Sequence, residues 1–279
     1  MKHVLIPTDF SENAWNAVLY SLSLFKKTRC TFYLFHVNPL VTYSGAETSV
    51  RASREKIAAH LLKESEVLLQ ELLTKIEALP LNSKHLFVTL ASYDFFVDAI
   101  RKQVDEKKID LIVMGTKGAS GLKKITLGSN TSDVITKVKC PLLAIPENAA
   151  YRRPREMAFP TDYLTGYDLR VLETLTEMAI LNKAHIRILH ISQRDEQLTD
   201  VQEKNKAFLE DYFRDVSHSF HFLTGSKLEA AVQCFCESRD IDMIAMVAKN
   251  LNYFQRILFR PAVQEISYHT HIPFLVLHE

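Results

Sequence analysis

Lys108-Ile-Asp-Leu-Ile-Val-Met114 runs without a break into Gly115-Thr-Lys-Gly-Ala-Ser-Gly-Leu-Lys-Lys-Ile-Thr-Leu-Gly-Ser129. The first part has the unbroken apolar character of a strand buried on both faces. The second puts glycines at the strand's end, where a backbone can turn tightly and approach a ligand closely. The pattern returns 132 residues later stripped of its glycines: Asp240-Ile-Asp-Met-Ile-Ala-Met246 matches the strand, while Gly115, Gly118, Gly128 and Ser129 become Val247, Asn250, Arg260 and Pro261. Cys140-Pro-Leu-Leu-Ala-Ile145 matches Ile272-Pro-Phe-Leu-Val-Leu277 at the same shift. Further back, Val4-Leu-Ile-Pro-Thr-Asp-Phe10 matches Met157-Ala-Phe-Pro-Thr-Asp-Tyr163, and Leu34-Phe-His-Val37 matches Ile188-Leu-His-Ile191. The reading is a tandem duplication in which one copy kept a ligand site.

Working outward, the first half alternates short β-rich runs with helical patterns. Strands are expected at 2–8, 30–37, 85–90, 109–114 and 141–145, and helices at 12–27, 48–78, 93–106 and 129–138. Such alternation predicts an α/β fold with a parallel sheet covered on both faces. Two tandem open-sheet sandwiches are expected, Rossmann-like and five-stranded, with strand order 3-2-1-4-5. The domains are placed at 1–147 and 155–279, joined through the proline-bracketed stretch Pro146-Glu-Asn-Ala-Ala-Tyr-Arg-Arg-Pro154. In helix 48–78, Ile57, Leu61, Leu62, Val67, Leu68, Leu72, Leu73 and Ile76 form an expected core stripe. Residues 38–47 read as a loop able to lid a ligand. The second half repeats the order with its second helix much shortened.

With 34 basic and 33 acidic residues the net charge is +1, which offers no field for a nucleic-acid backbone. No long apolar run predicts a membrane span, so a cytoplasmic protein is expected. The four cysteines, Cys30, Cys140, Cys234 and Cys236, lack zinc-site spacing and read as buried or incidental thiols. His218, His221, His269 and His271 are scattered over expected element ends and read as structural or solvent-facing rather than as metal ligands.

In an open parallel sheet, ligands sit beyond the carboxyl ends of strands where strand order reverses. If the first and fourth strands are neighbours there, Pro7, Thr8 and Asp9 come beside the loop that begins at Gly115. Ser129 reads as the N-cap of the next helix, whose free N–H groups and positive dipole end suit a phosphate. In the second copy, a β-branched Val247 at positive φ would cost at least ~1–2 kcal/mol, and Pro261 has no N–H to give.

The spacing Gly115-x2-Gly118-x9-Gly128-Ser129, with Pro7-Thr-Asp-Phe-Ser11 after the first strand and Phe35-His-Val37 at the end of the second, resembles the universal stress protein family in its ATP-binding form. The resemblance covers both halves, but the nucleotide motif lies in the first alone. It implies that Asp9 accepts from the ribose or base edge, that Val37 backbone meets adenine, and that Met114 supports the sugar. Gly115, Thr116, Lys117 and Gly118 would line sugar and phosphates, while Gly128, Ser129, Asn130 and Thr131 would bind phosphate oxygens. The implied ligand is ATP, ADP or AMP, with Mg2+ as an accompanying ion that no loop carboxylate is placed to fix.

Two of these residues have blander readings, because Asp162 and Lys249 persist in the glycine-free copy. Asp9 serves equally as a turn or helix cap, and Lys117 as a solvated surface charge. The set describes a cradle without an engine: no G-x-x-x-x-G-K-[ST] loop is present, and neither a positioned base nor metal carboxylates. A regulatory nucleotide-binding module acting on an unidentified protein partner is therefore expected. The alternatives are slow ATP hydrolysis or self-phosphorylation at Ser129 or Thr131, and a ligand-free structural adaptor. The resemblance implies that last strands pair domains, and the matching apolar strands 142–145 and 274–277 offer the edges for an internal pseudo-dimer of the two copies; a homodimer is implied by the same resemblance.

Overall fold

Val4, Leu5 and Ile6 are fully buried, as an apolar run with no polar alternation requires, and they form the centre of β1 (Lys2–Pro7). This computed structural model describes residues 1–40, 48–80, 82–116, 128–164, 166–192, 197–224, 228–248 and 271–278, with side chains left aside at 48–54 and 229. The chain divides into two units after Cys140.

In the first unit β1 is followed by α1 (Glu12–Leu24), β2 (Cys30–Pro39), α2 (Thr48–Glu77), β3 (His85–Asp94), α3 (Phe96–Lys107), β4 (Leu111–Gly115) and α4 (Ser129–Lys137). Its strands are ordered β3-β2-β1-β4, and every pairing is parallel. β1 pairs β2 on one side (Pro7 opposite Phe35) and β4 on the other (Leu5 opposite Ile112). Strand order thus reverses at β1, which brings the carboxyl ends of β1 and β4 together.

The second unit holds β5 (Leu142–Ile145), β6 (Glu156–Pro160), α5 (Leu169–Asn182), β7 (His185–Ser192), α6 (Asp200–Tyr212), β8 (His218–Thr224), α7 (Leu228–Ser238), β9 (Met243–Val247) and β10 (Phe274–Leu277). The order β8-β7-β6-β9-β10 is parallel throughout and repeats the first copy's winding as 3-2-1-4-5. β5, the last strand of the first copy in sequence, is grouped here. It lies antiparallel to β10, with Leu143 opposite Leu275, and its four residues are fully buried.

Three local expectations change. β2 and β3 pair as far as Pro39 and Asp94. Residues 38–39 are therefore strand rather than loop, and α3 starts at Phe96; residues 41–47 lie outside the described part. Among the described side chains of α2 the buried ones are Ser65, Leu69 and Ile76, while Ile57, Val67 and Leu68 are exposed. A helix on a sheet buries a single stripe, and the eight apolar residues were more than one stripe could hold. Ser65 earns its buried place by accepting from Asn38 Nδ2 at 2.7 Å and donating to the Leu61 carbonyl at 2.8 Å. α2 has 30 residues and its counterpart α6 has 13, as the shorter second copy suggested.

Candidate nucleotide cleft

At the switch point the chain turns sharply after β1. Thr8 N–H donates to the Phe35 carbonyl at 2.8 Å, continuing the β1–β2 ladder. Phe10 then takes a left-handed φ of 61°, and its N–H donates to Thr8 Oγ1 at 3.0 Å. Asp9 Oδ1 accepts from Ser11 N–H at 3.1 Å and from Ser11 Oγ at 2.6 Å, and Ser11 Oγ in turn caps α1 through Ala14 N–H at 3.2 Å. His36 Nδ1 donates to the Thr8 carbonyl at 2.7 Å while its ring rests 4.7 Å from that of Phe10.

On the β4 side, Gly115 sits where a Cβ would fall 2.6 Å from Asn13 Nδ2 on α1. Gly128 N–H donates to the Thr116 carbonyl at 2.6 Å, closing the two described ends of the glycine loop on each other. Gly128, at φ −56°, is the N-cap of α4, and Ser129 is the first helical residue. The cap expected at Ser129 therefore moves back by one residue. The N–H groups of Ser129, Asn130 and Thr131 are those that helix geometry leaves without an intrahelical acceptor. Thr131 Oγ1 donates to the Gly115 carbonyl at 2.8 Å, tying α4 to β4. Its proton is thus committed to the backbone, which weakens Thr131 as a self-phosphorylation site.

Between these walls lies an open cleft of about 700 Å³ including its solvent-filled mouth. Pro7, Thr8, Asp9, Val37, Met114, Gly115, Gly128, Ser129, Asn130 and Thr131 all line it. Thr116 lies beside it, holding the loop through its carbonyl; Lys117 and Gly118 fall outside the described residues. Sequence reasoning missed Ala14, His36 and Phe96, which also line the cleft. His36 was in plain view next to Val37, but only the fold shows its ring turned back onto Thr8.

The second unit keeps the turn: Thr161 N–H donates to the Leu189 carbonyl, Tyr163 takes φ 57°, and Asp162 Oδ1 accepts from Leu164 N–H. His190 Nδ1 donates to the Thr161 carbonyl at 3.0 Å. The Thr-Asp-aromatic-His arrangement is therefore a turn device first, and Asp9 shares it. What differs is Tyr167, whose hydroxyl meets that of Thr161, the counterpart of Thr8. Val247 pairs with Leu277 as ordinary strand, and neither it nor Gly115 has a left-handed φ. The positive-φ argument against Val247 therefore fails; at Gly115 the constraint is clearance. Asn250, Arg260 and Pro261 lie outside the described residues, as do Lys249 and His269.

Comparison with known proteins then decides the family: the universal stress protein family model matches residues 1–146. The chain belongs to the universal stress protein family. Two universal stress proteins of Methanocaldococcus jannaschii are 29% identical over 144 residues and 27% identical over 157 residues. Each match covers 52% of this chain, with 81% and 94% of the relative. The crystal structure of a universal stress protein from Archaeoglobus fulgidus superposes with a TM-score of 0.70 at 20% identity, covering 99% of this chain and 98% of its own. A universal stress protein structure from Pseudomonas aeruginosa gives a TM-score of 0.56 at 12% identity over 99% of this chain and 93% of its own. At such identities the likeness is one of fold, and it extends over both copies.

Among the described residues no group of three or more His, Cys, Asp or Glu side chains is placed to hold a metal, and no helix is long and apolar enough to cross a membrane. Burial pushes the thiols of Cys30, Cys140 and Cys236 up to about 11, 12 and 12, leaving them protonated, while Cys234 is exposed on the opposite side of α7 from Cys236.

Proposed function

We propose that the first copy of this universal stress protein binds one adenine nucleotide, ATP, ADP or AMP, and acts as a regulatory module whose occupancy changes a protein contact. The observation that carries the reading is the meeting of two unlike ends in one cleft. At one end the amino end of α4 offers N–H donors and a positive dipole to phosphate. At the other, Val37 at the end of β2 offers main-chain groups to a base edge. Met114 and Gly115 lie between them, on the sugar side. Asp9 is the one carboxylate among the cleft-lining residues, and it is engaged by Ser11. A divalent cation would thus arrive on the phosphates rather than be held by the protein.

The functional domains are taken as 1–147 and 155–279, with the second copy a partner domain that binds no nucleotide in this manner. The protein is read as cytoplasmic. The β5–β10 pairing supports an internal pseudo-dimer, and a homodimer of the whole chain follows by likeness to the family.

Calorimetric titration of ATP into the full chain and into a Gly118→Val, Gly128→Arg double variant tests the reading, with folding checked by circular dichroism. One site per chain of roughly micromolar strength, about −8 kcal/mol, lost in the folded variant, is the expected result. No heat and no thermal shift in the wild type would leave a ligand-free adaptor as the better account.

A further inference from the structure

Phe96 stands in the wall of the cleft, yet no motif points to it. It opens α3 two residues after β3 ends at Asp94, and β3 runs beside β2 with Ser92 opposite Val37. The cleft therefore runs from the amino end of α4, past β4 and β1, to an end walled by Val37 and Phe96. Neighbouring strands stand about 4.8 Å apart, so β2 lies on the order of 10 Å from β4. Phe96 is half-buried.

The duplication supplies an internal control. α3 and α7 begin at Phe96 and Leu228, at the same spacing that relates the glycine-bearing and glycine-free strands. Each helix is followed by a left-handed residue, Lys108 at φ 51° after α3 and Asp240 at φ 50° after α7, so the two copies stay in register through this element. The counterpart of Phe96 is therefore Leu228, which is 6% exposed and serves the core. Core packing at this position is satisfied by leucine, and the aromatic ring occurs in the copy that has the glycines.

We propose that Phe96 is the base-recognising wall of the cleft, its ring lying against a face of the nucleobase and selecting base-bearing phosphates over bare polyphosphate. The inference rests on the nucleotide reading above. An aromatic face stacks on any base, so Phe96 raises affinity for nucleotides as a class, and the choice of adenine falls to main-chain groups near Val37.

The test is calorimetry on the full chain with ATP and, separately, inorganic tripolyphosphate, for wild type, Phe96→Ala and Phe96→Trp. Phe96→Ala is expected to weaken ATP roughly tenfold or more and to leave the tripolyphosphate response as in wild type. Phe96→Trp is expected to keep ATP affinity, and its added fluorescence to be quenched by ATP but not by tripolyphosphate. If wild type binds ATP and a folded Phe96→Ala binds it equally well, the inference falls while the nucleotide reading stands. Should Phe96→Ala fail to fold, tryptophan emission at position 96 that ignores saturating ATP overturns the inference just as well. Wild type that binds no ATP overturns both.

Discussion

Gly115 shows how one missing methyl group shapes the cleft. Its Cβ would meet Asn13 Nδ2 at 2.6 Å and Cγ at 2.8 Å, and Asn13 is buried on α1. Gly115→Ala is therefore expected to destabilise the protein by about 1–3 kcal/mol, as overpacking does. Adding Asn13→Ala should recover part of that loss, a coupling that urea denaturation of the four-member cycle measures; strict additivity would refute the contact. Thr131→Val removes the hydroxyl that holds the Gly115 carbonyl and should cost about 1 kcal/mol, read by the same denaturation. The glycine pattern was legible in the sequence because a run of glycines after a strand has few other uses. Its reason was not, since the steric limit comes from a helix a hundred residues earlier in the chain.

At the scale of elements, helix ends and sheet edges follow local chemistry. α6 opens with a capping box in which Thr199 Oγ1 accepts from Gln202 N–H and Gln202 Oε1 accepts from Thr199 N–H. Thr199→Ala should cost about 1 kcal/mol in a thermal or urea melt. The amino ends of β6–β8 carry a polar cluster: Ser219 Oγ lies 2.7 Å from His185 Nε2 and 2.8 Å from His221 Nε2, while Arg187 bonds Glu156 at 2.7 Å. Burial, then Arg187 and His218, hold His185 below its ordinary value against Glu156. Burial, then Arg187, Arg239 and His185, do the same to His221, again opposed by Glu156. Burial also lowers His190, opposed by the Thr161 carbonyl and Asp162. A histidine with a depressed folded-state pKa favours the folded form while neutral, so this stability is complete above the unfolded value of about 6.5. It is lost as pH falls from there through the folded values. The urea midpoint of the second unit should drop between pH 7.5 and pH 5, and His221→Gln should flatten the drop. An unchanged slope in that variant would show that His221 takes no part.

For the whole molecule, the fully buried β5 strand paired with β10 implies that neither strand tolerates being left as an edge. A fragment of residues 1–147 is expected to self-associate in light scattering, and charging the strand with Leu143→Lys should return it to a monomer. A fragment monomeric from the outset would deny β5 that role. By itself the sequence determined the α/β class, the duplication, the strand order and most of the residues that line the cleft. Apolar runs, cap residues and glycine spacing are local signals; the apolar runs recur in both copies, while the glycine spacing stands in the first alone. Only the tertiary structure decided that His36 and Phe96 line the cleft, that Thr131 directs its proton to the Gly115 carbonyl, that Ile57, Val67 and Leu68 of the α2 stripe face water, and that β5 takes β10 as its partner. Each of those depends on which distant segment arrives beside a residue, and side-chain periodicity along one element carries no record of its neighbours.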